Sequence, residues 1–363
     1  MSTGRVVSVK LSATPYDVTI RSGLLEEIGG MLVALNHPHK IAIVTDSHVA
    51  HLHRKSMEQV LKAAGLEGIF AVIPAGETYK TFESLLPVYD QFLHARLERI
   101  TPVVAFGGGM IGDMAGFVAA TLLRGVPFIQ VPTTLLAMVD ASVGGKTGIN
   151  HAVGKNLIGA FHQPQAVWAD PAVLKSLPPR ELRGGLAECI KHDCIRDAAG
   201  FAALEQNIPR ALAMDLEYLT ELVAHNVAIK AAIVEADPFE KGERAHLNFG
   251  HTFGHAIETM SQYQYSHGEA IALGMTAAVF MSHKLGMLDD ESRKRIIRVL
   301  ELAGLPTGKL KISPKVIADA MLFDKKVKGG KIRFILLDGI GRAVIRDDVP
   351  AELVLAAVES LHA

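Results

Sequence analysis

The hydrophobic pattern of the first half of the chain alternates between short apolar runs and segments with helical periodicity. The apolar runs lie at Ile41–Asp46, Ile69–Ile73, Pro102–Phe106, Phe128–Val131 and Ala166–Ala169. Helical spacing of apolar positions follows the first two runs, at His48–Ala64 and Leu85–Leu97. Because strands and helices alternate, we predict a parallel sheet with helices on its faces. The weaker alternation at Val6–Ile20 predicts an added hairpin.

The pattern changes after Pro178, where long helical periodicities begin and continue to Ala303. One late exception is the apolar run Ile332–Leu337, which predicts one strand of a small hairpin. We therefore predict an α/β domain with a Rossmann-like parallel sheet over residues 1–175. A mainly helical domain is expected over residues 176–363.

Composition narrows the class of protein. Of the 363 residues, 49% are apolar and 21% are charged, which excludes intrinsic disorder. The 37 basic and 38 acidic residues give a net charge of -1, so nothing global attracts nucleic acid or an anionic membrane. Cys189 and Cys194 are too few for a disulfide framework and favour a reducing cytoplasm. We expect no signal peptide in Met1–Lys10, and a buried helix rather than a membrane span at Ala270–Met281.

A glycine cluster after the third apolar run is the first candidate for a ligand site. Gly107–Gly112 fits G-x-G-x-x-G between a predicted strand and a predicted helix, where backbone N–H groups can approach a phosphate. Asp46 ends an earlier strand, where an acid can bond ribose hydroxyls. The usual fingerprint places that acid about 20 residues downstream of the glycines, whereas Asp46 lies upstream. The pattern therefore predicts either a variant nucleotide site or a tight turn, with Asp46 as a strand-end cap.

A second glycine-rich segment carries lysines and amides. Gly144–Thr147 is similar to the end of a P-loop, but Asp140 stands where the first P-loop glycine is required, which rejects a Walker motif. We predict a flexible polar segment from Asp140 to Asn156. Its lysines and amides suit an anionic small molecule, and a solvated surface loop is the alternative. These side chains are Lys146, Asn150, Lys155 and Asn156.

The strongest local pattern is a pair of histidines four residues apart. His251 and His255 project from one face of a helix, and His267 begins a later apolar helix. With Glu188 from another helical segment, they would make a catalytic-type zinc site with an open position. Thr252 stands where a zincin protease needs glutamate, which disfavours a peptidase. Histidines that merely cap a helix or face solvent are the competing interpretation.

Longer segments join these motifs into an ordered set. They are GETYK (Gly76–Lys80), GGGMIGDMAGFVAAT (Gly107–Thr121), RGVPFIQVPTTLLAMVDASVGGKTGIN (Arg124–Asn150), GKNLIGAFHQP (Gly154–Pro164), GLAECIK (Gly185–Lys191), RAHLNFGHTFGHAIE (Arg244–Glu258), HGEAIALGM (His267–Met275) and DKK (Asp324–Lys326). In this order they resemble the 3-dehydroquinate synthases of the shikimate pathway. The resemblance extends from about Ile41 to Asp347.

The resemblance implies a lyase that converts 3-deoxy-D-arabino-heptulosonate 7-phosphate into 3-dehydroquinate and phosphate. This is the second step of the pathway to chorismate and the aromatic amino acids. The reaction would proceed through transient oxidation by NAD, elimination of phosphate, reduction and intramolecular aldol closure. The resemblance also implies an NAD-binding α/β domain, a helical metal- and substrate-binding domain, and one zinc or cobalt ion. A cytoplasmic homodimer is expected, with no nucleic-acid or membrane partner.

The resemblance assigns roles to individual residues by motif position. The metal ligands would be Glu188, His251 and His267, with His255 as a polar group of the substrate pocket and a candidate proton shuttle. NAD would be held by Asp46, Glu77, Lys80, Gly107, Gly108, Gly109, Asp113, Thr133, Thr134 and Lys155, beside Val173 and Ser176. The substrate phosphate would be bound by Arg124 of the neighbouring subunit, Lys146, Asn156 and one of Lys325 and Lys326. Lys230 and Arg244 would bind the carboxylate, Asp140, Lys191 and Asn248 the hydroxyls, and Glu240 would lie near the site.

A few positions depart from the family pattern. Val173 and Ser176 replace a more usual Phe and Thr beside the nucleotide, and Met138 replaces a common Gln. Asp237-Pro238 stands where a second acid usually follows the Asp. These departures concern local contacts and leave the chemistry unchanged.

Three other functions compete with this interpretation. A sister sugar-phosphate cyclase, of the 2-deoxy-scyllo-inosose or valiolone type, would keep NAD, the metal and the elimination. The cations Lys230 and Arg244 are not needed to bind an uncharged sugar end, so their presence favours a dehydroquinate synthase. A metal-dependent alcohol dehydrogenase would release NADH. A binding module without activity is disfavoured, because nearly every expected polar site residue is present.

Overall fold

The computed structural model describes residues 4–240, 242–262, 264–327 and 332–362, with the backbone alone over 322–327. The strands are β1 (Arg5–Val9), β2 (Tyr16–Ile20), β3 (Lys40–Asp46), β4 (Glu67–Ile73), β5 (Val103–Gly107), β6 (Phe128–Pro132), β7 (Lys146–His151), β8 (Gly154–Phe161), β9 (Ala166–Ala169), β10 (Phe334–Leu337) and β11 (Ala343–Arg346). The α-helices are α1 (Ile28–Ala34), α2 (Ser47–Ala63), α3 (Phe82–His94), α4 (Gly109–Thr121), α5 (Pro179–Arg196), α6 (Ala198–Leu212), α7 (Leu216–Ala236), α8 (His251–Met260), α9 (His267–Lys284), α10 (Asp290–Leu302), α11 (Pro314–Val327) and α12 (Ala351–Ser360).

Two compact units divide the chain. The first contains the residues up to Leu177 together with Leu216–Glu235, and the second contains Pro178–Asp215 and the residues from Ala236 onward. Helix α7 therefore belongs almost entirely to the first unit, although the sequence pattern assigned all of 176–363 to the second domain. Helical periodicity identifies α7 as a helix but carries no information about which unit covers its apolar positions.

The first unit is built on a seven-stranded sheet with the order β1-β2-β9-β6-β5-β3-β4. β1 and β2 form the antiparallel hairpin predicted near the N-terminus, and the other pairs are parallel. The apolar runs are continuous because helices cover both faces. Along β3, Ile41 and Ile43 pack in one core with α1 and α2, while Ala42 and Val44 pack in the opposite core with α3 and α4. The predicted Rossmann-like sheet is confirmed.

The order of the strands reverses between β3 and β5. β4 lies on one side of β3, whereas β5, β6 and β9 follow on the other side. In open parallel sheets, ligands bind outside the carboxyl ends of the strands at such a switch point. β3 ends at Asp46 and β5 ends at Gly107. The acid and the glycine motif identified in the sequence therefore lie on neighbouring strands at this edge.

The segment from Asp140 to Asn156 is not a flexible loop, so that prediction was wrong. Ala137–Ala141 forms a π-helical turn, and β7 pairs with β8 in an antiparallel hairpin whose ladder has one irregularity. Gly148 and Gly159 lie opposite each other in the hairpin, and a Cβ on Gly148 would lie 3.2 Å from the Gly159 Cα. A Cβ on Gly159 would lie 2.0 Å from the Thr147 carbonyl oxygen. The sequence pattern misled because glycine usually marks turns, whereas here it allows close approach of two backbones.

The second unit packs helices around α9. Helices α5, α8, α10 and α12 and strand β10 all contact α9. The apolar run Ala270–Met281 lies within α9 and is largely buried, as the prediction of a buried helix requires. β10 and β11 form the late hairpin that the sequence predicted. Among the described residues, no helix combines the length and the apolar character needed to cross a bilayer.

Candidate active site

Three side chains from three helices meet in the second unit. Glu188 lies on α5, His251 begins α8 and His267 begins α9. Nε2 of His267 lies 3.4 Å from Glu188 Oε1, and Nε2 of His251 lies 3.9 Å from the same oxygen. The ligand atoms of all three residues lie within 4.8 Å of one another. The structure thus brings together the three residues that the resemblance named as a metal-binding set.

Glycines allow these helices to approach closely. α5 and α9 meet at Gly184 and Gly268, where a Cβ on Gly268 would lie 2.2 Å from the Gly184 Cα. α8 and α9 meet through Gly250 and Gly274, where a Cβ on Gly274 would lie 1.9 Å from the Gly250 carbonyl oxygen. Gly250 and Gly268 are the chain neighbours of the two histidines. Backbone contact at these glycines therefore sets where the imidazoles lie relative to the carboxylate.

Hydrogen bonds orient the two imidazole rings. Nδ1 of His267 lies 3.4 Å from Oε2 of Glu258, a buried carboxylate. Nδ1 of His251 lies 3.1 Å from the carbonyl oxygen of Phe249. In both rings Nε2 is the atom that faces Glu188. An acceptor for the Nδ1 proton is the usual support of a metal-binding histidine, because it directs the lone pair of Nε2 at the ion.

The pKa values of the two imidazoles move in opposite directions. Burial disfavours the charged form of His267, but hydrogen bonds and the negative charges of Glu188 and Glu258 outweigh burial and raise its pKa to about 9. Burial and the positive charge of Lys191 hold the pKa of His251 well below its ordinary value of 6.5. Lys191 also forms an ion pair with Glu188, which is fully buried. A metal-binding imidazole must be neutral, so His251 is already in its donor state, whereas an ion that binds His267 must displace the proton of that ring.

The donor set fits a divalent metal ion. Zinc ligands at about 2.0–2.2 Å in a tetrahedral arrangement lie ~3.4 Å from one another. Nε2 of His267 and Nε2 of His251 lie at similar distances from Glu188 Oε1, 3.4 Å and 3.9 Å. One carboxylate and two imidazoles leave an open position, as catalytic sites do. His255 lies beside this group, with its ring centroid 5.3 Å from that of His251 and 6.4 Å from that of His267. The i, i+4 spacing correctly placed His251 and His255 on one face of α8. The second imidazole that faces Glu188 is His267, which comes from α9.

The glycine motif lies at the carboxyl end of β5 in the first unit. Gly107 ends β5 and Gly109 begins α4. A Cβ on Gly108 would lie 3.1 Å from the side chain of Thr134. Thr133 and Thr134 follow β6, and the Thr133 N–H donates to the Gly107 carbonyl at 2.9 Å. Without side chains, this turn exposes the N-terminus of α4, an arrangement that suits a phosphate.

Asp46 acts as the cap of α2. Its Oδ1 accepts from two backbone N–H groups of the first helical turn, at 2.8 Å and 2.9 Å. The structure therefore shows Asp46 as the strand-end cap that the sequence pattern predicted as one alternative, and a contact with ribose stays a prediction.

Val173 and Ser176, which the resemblance placed beside the nucleotide, share a short 3₁₀ helix, where Ser176 Oγ lies 2.9 Å from His53 Nε2.

A buried lysine connects several of the predicted NAD-binding residues. Lys80 Nζ donates to Asp113 Oδ2 at 2.6 Å and to Asn156 Oδ1 at 2.5 Å. Glu77 Oε1 lies 4.0 Å from the same nitrogen. Burial raises the pKa of Asp113 although the charge of Lys80 opposes the rise. The resemblance assigned Asp113 to NAD and Asn156 to the substrate phosphate. Lys80 bonds to both, so it connects the predicted NAD-binding residues with the predicted phosphate-binding residues. Lys155, also predicted at NAD, precedes Asn156 in β8.

Both cations predicted to bind a carboxylate are buried. Lys230, on α7 in the first unit, forms an ion pair with Asp140 at 2.7 Å. Arg244, in the second unit, is 2% exposed and donates from Nη1 to the Pro238 carbonyl at 2.8 Å. Asp237 accepts from two backbone N–H groups downstream, one of them that of Arg244. The unusual Asp237-Pro238 pair thus forms the loop that holds the guanidinium.

The other predicted substrate residues are spread over both units. In the second unit Asn248 Nδ2 donates to Glu240 Oε1 at 3.2 Å. In the first unit Arg124 and Lys146 are exposed. The side chains of Lys325 and Lys326 lie outside the described residues.

Sequence reasoning missed Glu258, which supports His267. It named Asn150 only as a candidate for an anionic ligand, whereas Asn150 hydrogen-bonds to Glu77 and Asn156. Each closes one of the long segments that carry the resemblance. Their position inside family-like segments was the available indication of a role. A carboxylate or amide on a helix or strand, however, ordinarily lies on the solvated surface.

These features define a class of protein. A Rossmann-like unit carries a dinucleotide-type glycine turn at its switch point, and a helical unit carries a carboxylate–imidazole cluster that fits a metal ion. The 3-dehydroquinate synthase N-terminal family model matches residues 70–184, and the 3-dehydroquinate synthase C-terminal family model matches residues 185–327. The chain belongs to the 3-dehydroquinate synthase family, as its motifs predicted.

Curated 3-dehydroquinate synthases are similar to this chain over nearly its full length. The 3-dehydroquinate synthase of Nitrosospira multiformis is 47% identical over 352 residues, 96% of each chain. That of Crocosphaera subtropica is 44% identical over 360 residues, 98% of this chain and 99% of its own.

Solved structures also match the whole fold. A 2-epi-5-epi-valiolone synthase from Streptomyces hygroscopicus subsp. jinggangensis, with NAD+ and Zn2+ bound, is 29% identical with a TM-score of 0.88, over 98% of this chain and 99% of its own. A 2-deoxy-scyllo-inosose synthase in complex with carbaglucose-6-phosphate, NAD+ and Co2+ is 25% identical with a TM-score of 0.90, over 98% and 100%. An iron-containing alcohol dehydrogenase, 14% identical with a TM-score of 0.68, shares the fold.

Proposed function

We propose that this protein is a 3-dehydroquinate synthase that uses NAD and one zinc or cobalt ion. It converts 3-deoxy-D-arabino-heptulosonate 7-phosphate into 3-dehydroquinate and phosphate in the shikimate pathway. The observation that carries the proposal is the convergence of Glu188, His251 and His267 in a chain that is 44–47% identical to synthases of that name. We infer a cytoplasmic location, because two cysteines are too few for a disulfide framework.

The chemistry requires a temporary oxidation. Phosphate on C7 leaves only when the proton on C6 is acidic, and oxidation of the C5 alcohol to a ketone makes it so. NAD supplies a reversible hydride acceptor, and the divalent ion supplies Lewis acidity toward the sugar hydroxyls. Reduction of the ketone after elimination restores the cofactor, and ring opening with aldol closure completes the carbocycle. The residues of the chain position groups and stabilise charge.

The first unit holds NAD in this proposal. Gly107–Gly109 and the N-terminus of α4 would bind the pyrophosphate through backbone N–H groups. Lys80 and Asp113, joined at 2.6 Å, with Glu77 and Lys155 would fix the rest of the dinucleotide. The remaining NAD residues of the proposal are Asp46, Thr133, Thr134, Val173 and Ser176.

Charged residues hold the two anionic ends of the substrate. The phosphate is assigned to Lys146, Asn156, Lys326 and a partner's Arg124, and the carboxylate to Lys230 and Arg244. Burial supports the second assignment, because a buried cation presents its charge in a low dielectric where a carboxylate is bound strongly. Asp140, Lys191 and Asn248 are assigned to the hydroxyls, with Glu240 and His255 beside them as polar and proton-transferring groups.

A homodimer is part of the proposal. β8 exposes apolar side chains, with Leu157 62% and Phe161 48% exposed, next to Val153 at 82% in the hairpin turn. An exposed apolar strand of this kind favours burial against a second copy. Leu123 and Arg124 both have positive φ, 49° and 67°, a strained backbone that is kept where function needs it. Arg124 is exposed on its own unit, as a residue that contacts a partner subunit must be.

A sister sugar-phosphate cyclase is the second candidate, because two such cyclases have TM-scores of 0.88 and 0.90. Their identities of 29% and 25% are well below the 44–47% of the dehydroquinate synthases. The two buried cations also favour a substrate that carries a carboxylate.

One experiment tests the proposed function. The full chain with NAD and zinc is given either the heptulosonate phosphate or glucose 6-phosphate, with released phosphate and product mass as readouts. We expect stoichiometric phosphate and 3-dehydroquinate from the first sugar alone, with no accumulation of NADH absorbance. Phosphate release from glucose 6-phosphate would favour the sister cyclase, and NADH accumulation would favour a dehydrogenase.

A further inference from the structure

Asn150 makes three hydrogen bonds that join separate parts of the first unit. Its backbone N–H donates to the Lys80 carbonyl at 2.8 Å. Its Nδ2 donates to Glu77 Oε1 at 2.9 Å, and its Oδ1 accepts from the Asn156 N–H at 3.0 Å. One amide side chain therefore contacts a predicted NAD-binding residue with its nitrogen and a predicted phosphate-binding residue with its oxygen.

The irregularity of the β7–β8 ladder makes these bonds possible. Pairing is regular on both sides, and in between Asn150 alone faces three residues of β8, Lys155–Leu157. A bulge of this kind frees backbone groups from the ladder and redirects side chains, and it is frequent beside active sites. The freed N–H of Asn150 bonds to Lys80 instead of to β8. Asn156, within the bulge, has a φ of 55°, a left-handed conformation that asparagine tolerates.

We propose that Asn150 is a positioning residue that couples the NAD-binding side of the site to the phosphate-binding side. Asn150 holds the Glu77 carboxylate through its amide nitrogen and holds the bulge residue Asn156 through its amide oxygen. Both partners also face Lys80 Nζ, Asn156 at 2.5 Å and Glu77 at 4.0 Å. The four residues form a closed network, so a change at Asn150 alters one half without directly removing any ligand-binding group. The inference rests on the proposed function, which assigns the ligands of the two sides.

The substitution Asn150→Asp separates the two halves of the network. It replaces the amide donor to Glu77 by a carboxylate, but it keeps an oxygen that accepts from the Asn156 N–H. We expect NAD, titrated into the full chain by calorimetry, to bind about tenfold more weakly, since a hydrogen bond to a charged group is lost and two carboxylates face each other. KM for the heptulosonate phosphate at saturating NAD should change by less than about threefold. Equal losses of both would overturn the proposal in favour of a merely structural role.

The substitution Glu77→Gln provides a rescue. With an amide at position 77, the donor and the acceptor exchange places, and the hydrogen bond to a carboxylate at position 150 can form again. The cost of Asn150→Asp for NAD binding should then fall below about threefold. The double variant is compared with Glu77→Gln alone, so any direct contact of Glu77 with NAD cancels. A tenfold cost that persists in this background would contradict the coupling.

Controls keep the outcomes distinct. Asn207→Asp makes the same charge change on α6, where the Asn207 amide bonds to the Ala203 carbonyl of its own helix, and should leave NAD binding unchanged. If Asn150→Asp does not fold, as judged by its thermal midpoint, Asn150→Ala removes the donor to Glu77 and undergoes the same titration. An unaltered chain that neither binds NAD nor releases phosphate contradicts the proposed function and this inference with it. An active unaltered chain with unchanged NAD binding in the Asn150 variant contradicts the inference alone.

Discussion

At the scale of single residues, carboxylates in this protein position other groups. Glu258 contacts the His267 ring, Asp46 caps α2, and Asp113 accepts from Lys80. A carboxylate that accepts a hydrogen bond can be replaced by an amide of the same shape, which keeps much of the geometry and removes the charge. Such substitutions therefore separate the role of charge from the role of position.

Asp46 offers the first prediction. Asp46→Asn should keep the cap, because asparagine is an equally good N-cap, while Asp46→Ala should cost about 1 kcal/mol of stability. If the carboxylate also bonds ribose, both variants should bind NAD at least about tenfold more weakly. Thermal unfolding and calorimetric titration of NAD measure the two effects. Wild-type NAD affinity in Asp46→Asn would show that Asp46 is a cap alone.

Glu258 offers the second prediction. Glu258→Gln removes the negative charge that helps to raise the pKa of His267 and weakens the support of its ring. Metal affinity should fall by about 10–100-fold, as is usual when such a supporting carboxylate is lost. Competition for zinc against a chromophoric chelator measures the change. The matched control is Glu359→Gln on the exposed side of α12, which should retain full affinity. Equal zinc affinities in the two variants would remove Glu258 from the metal centre.

At the scale of elements, apolar patterns predicted the strands of the sheet well, because buried parallel strands need continuous apolar runs such as Ile41–Asp46. The β7–β8 hairpin was not predictable in the same way. Its register depends on the close approach of Gly148 and Gly159 and on the bulge at Asn150, which are backbone features without apolar periodicity. The helices of the second unit were predictable, but their crossings at glycine pairs required three-dimensional structure.

The glycine crossings give the third prediction. Gly274→Ala places a Cβ where only 1.9 Å separates it from the Gly250 carbonyl, so α8 must move away from α9. We expect a loss of stability of about 2 kcal/mol or more and, because His251 follows Gly250, weaker zinc binding. Gly30→Ala in α1 is the control, since its Cβ would meet nothing within 4 Å and should stabilise by about 0.5–1 kcal/mol. Thermal unfolding with and without zinc measures both. A Gly274 variant as stable as the unaltered chain would contradict the role assigned to this crossing.

At the scale of the whole molecule, the proposed function assigns roles to residues in each of the two units. The motif set predicted the family correctly, because ordered segments such as Gly107–Thr121 and Arg244–Glu258 are far more specific than any single motif. The packing of α7 with the first unit was not predictable, since a helix with apolar residues on several sides does not identify its neighbour. Oligomeric state likewise depends on surfaces that a pattern of residues does not reveal.

The fourth prediction concerns the proposed homodimer. Arg124→Ala and His251→Ala should each be inactive alone. If Arg124 acts in the neighbouring subunit, a mixed dimer has one complete site, so unfolding and refolding an equal mixture should restore about one quarter of the original activity. Phosphate release from the mixture, compared with each variant refolded alone, measures this. Absence of restoration would place Arg124 in its own subunit's site or outside the site.

An anomalous-scattering map of crystals grown with cobalt tests the metal centre directly. We expect a single strong peak within about 2.3 Å of one Glu188 oxygen and of Nε2 in both His251 and His267. A peak bound by other side chains, or the absence of any peak in crystals of protein that turns over the heptulosonate phosphate, would contradict this expectation.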